Sequence, residues 1–117
     1  MTSTHTDKII TDYNSFAQLD IRVGEIVRVE EFTRARNPSY KVLVNFGGED
    51  NRWSSAQITR YSKEELLGKQ VICITNLPER NIAGFMSQVL MLGVPDSDDG
   101  TILLQPEQAV ELGVAVF

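Results

Sequence analysis

The stretch Ser62-Lys-Glu-Glu-Leu-Leu-Gly-Lys-Gln-Val-Ile-Cys-Ile-Thr75 places a short helix directly before a buried strand. Ser62 is a helix N-cap, Glu65 stands three residues on as its capping-box partner, and Gly68 suits the left-handed residue that ends such a helix. Residues 71–75 are apolar or β-branched, as in a strand covered on both faces. On the N-terminal side lie three strand-like segments. Ile21-Arg-Val-Gly-Glu-Ile-Val-Arg-Val29 alternates and carries Gly24 at its centre, which predicts a bulge or a sharp bend. Tyr40-Lys-Val-Leu-Val-Asn-Phe46 ends at the turn signal Gly47-Gly48, and a short polar loop joins it to Arg52-Trp-Ser-Ser-Ala-Gln-Ile58. On the C-terminal side, residues 89–92 and 102–104 read as two more strands around a turn-rich loop, residues 95–100. Residues 106–113 read as a short helical segment, with Pro near the start and Gly past the end. Near the N-terminus, Asp12 or Asn14 caps a helical turn through Phe16 to Leu19.

Three strands, a short helix and further strands is the order of an OB-type Greek-key barrel, in which the helix lies between strands three and four. The expected class is therefore all-β, a β-barrel with short helices and helical and C-terminal extensions. Residues 1–11 are expected to be a flexible tail, and residues 12–117 one domain. Barrels of this type commonly bind oligonucleotides on one face.

Composition narrows the function. The 117 residues are 42% hydrophobic and include a single cysteine, Cys73, so an internal disulfide is excluded and a reducing compartment is favoured. No N-terminal stretch resembles a signal peptide and none is long enough to span a membrane, so the expected location is cytoplasmic, without membrane insertion. The net charge of −5 is unevenly distributed. Residues 22–80 hold ten basic against eight acidic residues, whereas the rest holds one basic against eight acidic. This fits either one basic face on an acidic molecule or ordinary surface charge.

Catalysis has little to stand on. The only histidine, His5, lies in the expected tail, and Cys73 sits among Val71, Ile72 and Ile74 as a core thiol. Asp96, Asp98 and Asp99 lack the spacing of a calcium loop and read as a solvated turn. There is no glycine-rich phosphate loop. No enzyme, metal or cofactor is expected.

The polar chemistry concentrates elsewhere. Asn76-Leu-Pro-Glu-Arg-Asn-Ile-Ala-Gly-Phe-Met-Ser-Gln-Val-Leu90 joins two apolar runs. Arg80 suits a phosphate or a stacked base, Asn76 and Gln88 offer a donor and an acceptor to a base edge, Ser87 adds a hydroxyl, and Gly84 leaves room for close approach. The alternative reading is that these amides cap barrel ends and tie down loops. Ser54 and Gln57 place further polar groups on the third strand, while Arg34, Arg36 and Lys41 flank the loop between the first two strands. Together these nine side chains form the candidate RNA-binding set. Stacking aromatics are scarce, being limited to Phe32, Tyr40, Trp53 and Phe85, some of which belong to the core.

Asp20-Ile-Arg-Val-Gly24, the spacing of Asn76 and Arg80, Ile82-Ala-Gly84 and Ser87-Gln88 resemble the tRNA-binding domain appended to methionyl- and phenylalanyl-tRNA synthetases. Ser54-Ser-Ala-Gln-Ile58, Arg80-x-Ile82-Ala-Gly84-Phe85-x-Ser87 and Leu103-Leu-Gln-Pro106 resemble more closely the CsaA-type export chaperones of the same family. The resemblance spans residues 16–117. It implies an OB fold, a homodimer through the chain ends, tRNA binding, chaperone activity toward unfolded or exported proteins, and through export a link to the preprotein translocase. Asn76, Arg80, Ser87 and Gln88 fall on the family's RNA-contacting motif. Val89 and Leu90 replace the small residue and Met that follow Ser-Gln in the synthetase-linked domains, and Ala83 replaces a basic residue. Both departures lean toward the chaperone branch. The rival reading is a stand-alone tRNA-binding module that assists aminoacylation or tRNA handling. Leu112, Val114, Val116 and Phe117 make an apolar C-terminus that either seals the isologous dimer or packs on its own barrel.

Overall fold

The structure is a computed structural model that describes residues 6–98 and 100–117; His5 and Asp99 lie outside the described residues. Residues 6–11 are exposed and join no helix or strand. The first helix, α1 (Tyr13–Ala17), is capped by Asp12, whose carboxylate accepts from the Ser15 N–H at 3.1 Å. The strands follow as β1 (Ile21–Glu31), β2 (Tyr40–Asn45) and β3 (Asn51–Ala56). The helix α2 (Lys63–Leu66) comes next, then β4 (Gln70–Ile74), β5 (Arg80–Ile82), β6 (Phe85–Ser87), β7 (Leu90–Met91), β8 (Gly93–Pro95) and β9 (Thr101–Leu103).

Among the described residues, five strands form the main antiparallel sheet in the order β3-β2-β1-β4-β7, while β5-β6 and β8-β9 are separate hairpins. Strand β1 is long because it serves two neighbours in succession. Its first half pairs with β4, its second half with β2, and Glu25 belongs to both ladders. The helix α2 sits between strands three and four as expected. Ser62 Oγ accepts from the Glu65 N–H at 3.1 Å, and Glu65 Oε1 accepts from the Ser62 N–H at 2.8 Å. This reciprocal cap fixes the helix so that Leu66 is fully buried in the core. The sheet curls until β3 meets the chain beyond β6, where the Gln88 N–H donates to the Trp53 carbonyl at 2.7 Å. The result is an all-β, nearly closed OB-type barrel.

The core follows the alternation of β2 and β4, with Val42, Val44, Val71 and Cys73 fully buried. Burial pushes the Cys73 thiol up to about 12, so at neutral pH it is an inert apolar group.

Two local expectations are corrected. The bulge falls at Val27, where the β1–β2 register shifts between Ile26 and Arg28, and not at Gly24. Gly24 has no positive φ; it is small because a Cβ there would lie 2.5 Å from Val44 Cγ1 and 2.9 Å from Phe46 Cε1. Residues 106–113 form no helix. The Gln70 side chain holds Val110 from both sides, donating to its carbonyl at 2.7 Å and accepting its N–H at 3.0 Å, and the Gly113 N–H goes to the Val23 carbonyl. These bonds replace the helical ones. Residues 113–116 then run along the first half of β1, with Arg22 opposite Ala115.

Candidate nucleic-acid interface

Within the polar stretch of residues 76–90, residues 80–87 form a hairpin that packs against β3. Its turn residues, Ala83 and Gly84, have φ of +49° and +87°, the backbone of a two-residue type I′ turn. Gly84 therefore serves the turn, and its N–H is held by Asn81 Oδ1 at 2.8 Å. Register pairs Ile82 with Phe85, Asn81 with Met86 and Arg80 with Ser87. Alternation then sends Ile82, Phe85 and Ser87 toward β3, while Asn81 and Met86 face outward and are exposed. The Phe85 ring packs edge-on against Phe32 at 5.3 Å and Trp53 at 5.7 Å, and Lys41 Nζ lies 5.0 and 5.1 Å from the Phe32 and Phe85 centroids. These aromatics glue the hairpin to the barrel. Tyr40 is buried in the core, with its hydroxyl donating to the Tyr61 carbonyl.

The nine candidate side chains divide into two groups. Five are tied into the fold. Ser54 is 1% exposed and donates to the Val89 carbonyl at 2.8 Å. Ser87, also buried, accepts from the Ser55 N–H at 3.0 Å. Gln88 Oε1 accepts from the Trp53 N–H at 2.7 Å, and its Nε2 donates to Glu79 at 3.4 Å. Asn76 accepts the Asp20 N–H and donates to the Gln18 carbonyl, both at 2.8 Å, locking the turn between α1 and β1. Lys41 rests on its two rings. The burial of Ser54 leaves it no surface for RNA. Its inward phase was readable, because it lies opposite the core residue Val42.

The other four, Arg34, Arg36, Gln57 and Arg80, are exposed. Arg36, Gln57 and Arg80 converge on one hollow of about 230 Å³, shared with Asn37, Ser55 and Ile82. Arg80 and Gln57 also border a neighbouring hollow of about 300 Å³ that reaches Thr101 and Leu103. A smaller apolar cleft of about 160 Å³, between Leu77, Pro78, Ile82 and Leu90, opens on the other side of Arg80. Arg34 lies on the same β1–β2 loop as Arg36 but lines none of these hollows. Sequence reading missed Ser55 and Asn37.

Charge singles out the same place. Of seven arginines, Arg22, Arg28, Arg52 and Arg60 pair with Asp20, Glu30, Asp50 and Asp96 at 2.6–2.9 Å. Arg34, Arg36 and Arg80 have no carboxylate partner among the described residues. Two of these three unneutralised guanidinium groups, those of Arg36 and Arg80, thus border one concavity, although the protein as a whole is acidic.

The fold has counterparts. Residues 21–115 match the model of the family described as "Putative tRNA binding domain". The chain belongs to this tRNA-binding-domain family. The structure is similar to that of the CsaA chaperone protein from Picrophilus torridus, with a TM-score of 0.87 and 42% identity over 92% of this chain and all of that one. It is also similar to the CsaA chaperone of Bacillus anthracis str. Ames, with a TM-score of 0.86 and 38% identity over 93% of this chain and all of that one. By sequence it is 34% identical, over 110 residues, to a methionine–tRNA ligase from Methanococcoides burtonii. That match covers 93% of this chain but only 16% of the ligase, and other methionine–tRNA ligases that it matches are covered to 14%, so the chain spans about one seventh to one sixth of the length of these relatives. The fold and these relatives identify a CsaA-type protein of the tRNA-binding-domain family.

Proposed function

We propose that this chain binds tRNA-like RNA without catalysing a reaction, holding a single-stranded or looped segment in the concavity around Arg80. The observation that carries this reading is the convergence of Arg36, Arg80 and Gln57 on one hollow, with both guanidinium groups free of carboxylates among the described residues. The arginines take phosphates, and Gln57 offers a donor and an acceptor to an exposed base edge. Among the described residues no ring lines the hollow, so affinity comes mainly from charge.

The test is titration with bulk tRNA at several salt concentrations. Log affinity should fall with log salt by roughly 0.7 per phosphate contact. Arg80→Ala should weaken binding by about 1.5–3 kcal/mol, the range for a hydrogen bond to a charged group, while stability changes by less than about 0.5 kcal/mol. Salt-independent affinity, or affinity unaltered by Arg80→Ala, would refute the reading.

A second ligand is supported by the apolar cleft beside Arg80. At about 160 Å³ and lined by Leu77, Pro78, Ile82 and Leu90, it suits an aliphatic side chain better than a base. We therefore place unfolded or exported polypeptides next to RNA as ligands, in a cytoplasmic, CsaA-like chaperone role that reaches the preprotein translocase through its clients. A reduced, unfolded protein should compete with tRNA, and failure to compete would remove this ligand from the groove. The homodimer rests on Val114 and Phe117, which remain exposed beside the half-buried Leu112 and Val116. A clean monomer in light scattering at micromolar concentration would exclude it.

A further inference from the structure

Ser87 and Gln88 are read most simply as ligand contacts, but their polar atoms are already engaged. Strand β3 has one edge on β2, and its other edge leaves N–H groups that need acceptors. Two of these N–H groups are met by side chains in place of a neighbouring strand. Trp53 donates to Gln88 Oε1 at 2.7 Å, and Ser55 donates to Ser87 Oγ at 3.0 Å. The return bonds are main-chain, from the Gln88 and Val89 N–H groups to the Trp53 carbonyl at 2.7 and 3.4 Å. The seam between the hairpin and β3 is thus a ladder in which an amide and a hydroxyl replace two carbonyls.

From this geometry we infer that Ser87 and Gln88 are positioning residues for RNA, acting through Arg80 without touching the ligand. The inference rests on the groove reading above. Ser87 is the cross-strand partner of Arg80, so the bond from Ser55 to Ser87 sets where the base of β5 lies. Ser55 itself lines the hollow shared by Arg36, Gln57 and Arg80. Gln88 fixes the next residue, and Phe85 pins the far end of the hairpin through Phe32 and Trp53. With the two base anchors gone, the hairpin would pivot on Phe85, and Arg80 would leave the hollow while the barrel core stayed intact.

A double-mutant cycle with bulk tRNA as the probe tests this, read together with amide hydrogen exchange. Gln88→Ala keeps the main-chain bonds of the seam. It should speed exchange of the Trp53 N–H by about tenfold, the loss of roughly one hydrogen bond, and leave the Val44 and Val71 amides unaltered. tRNA affinity should drop by about tenfold when Arg80 is present and by less than twofold in the Arg80→Ala background. Ser87→Ala should do the same with exchange read at Ser55, which keeps the test open if the first variant does not fold. Equal losses in both backgrounds, or a loss of affinity with Trp53 and Ser55 exchange unchanged, would mean direct contact and overturn the inference alone. Failure of the wild type to bind tRNA, or of Arg80→Ala to weaken it, would bring down the groove reading and this inference with it.

Discussion

Gly24→Ala isolates the reason for a glycine in the middle of β1. The backbone at Gly24 is in a region open to any residue, so the cost of alanine is steric. The added Cβ would lie 2.5 Å from Val44 Cγ1 and 2.9–3.0 Å from the Phe46 ring. Carbon atoms in contact prefer about 3.5–4.0 Å, so Val44 must retreat by about 1 Å. It has nowhere to go, being fully buried and β-branched, with one strongly preferred rotamer. Overpacking of this kind costs about 2–3 kcal/mol, which for a domain of this size lowers Tm by roughly 8–15 °C. Val44→Ala removes the offending methyl and by itself costs about 2–3 kcal/mol through the cavity it opens. Combined, the two changes should relieve each other, because the new methyl fills part of that cavity. The double variant should be less destabilised than the sum by at least about 1 kcal/mol, with relief partial because the Phe46 contact remains. Chemical denaturation of the four proteins measures this. If Gly24→Ala matches the wild type within about 0.5 kcal/mol, or if the two costs simply add, packing is not why the residue is glycine.

At the hairpin turn, Ala83 is held at φ +49°, so Ala83→Asn should raise stability by about 0.5–1 kcal/mol, seen as a higher denaturant midpoint. An unchanged or lower midpoint would argue against the type I′ turn. The thiol of Cys73, pushed up to about 12, should stay unreactive toward a disulfide reagent at pH 8 until denaturant unfolds the barrel; reaction in the native state would contradict its burial. The Asp96 carboxylate is held below its ordinary 3.8 by the N–H groups of Asp98 and Gly100, outweighing a small effect of burial. Its folded value is depressed, so its contribution to stability is present above about pH 4 and disappears as pH falls through the folded value. The Tm difference between wild type and Asp96→Asn should be flat above pH 4 and shrink below it; a difference that grows toward acid would reverse the sign.

The barrel was legible because its signals were local. Ser62 and Glu65 need only each other to announce α2, and the Val42–Val44 alternation announces β2 without help from the rest of the chain. Non-local bonds were not legible. Residues 106–113 carry the punctuation of a helix, yet the amide of Gln70, some forty residues away, holds Val110 in an extended course. The candidate site shows the same division. Arg36, Gln57 and Arg80 were readable as exposed polar groups, and the fold brings them together. Asn76, Ser87 and Gln88 have the same polarity, but they meet N–H groups of a turn and of a strand edge whose needs appear only once the barrel curls. Trp53 and Phe85 looked like stacking platforms because a single sequence cannot show that each is the other's partner.

The segment at residues 113–116 has a consequence for synthesis. It supplies the neighbour for residues 21–23, so during synthesis one edge of β1 waits for residues 113–116 before it is covered. About 95 residues separate the two, which at roughly 5–20 residues per second leaves that edge open for on the order of 5–20 s. During this interval Ile21 and Val23 present unpaired N–H and carbonyl groups beside apolar side chains, the condition under which two nascent chains pair with one another. A polysome, where copies emerge side by side, is where this barrel is most exposed to misassembly, and slowing translation past residue 25 should lengthen the exposure in proportion.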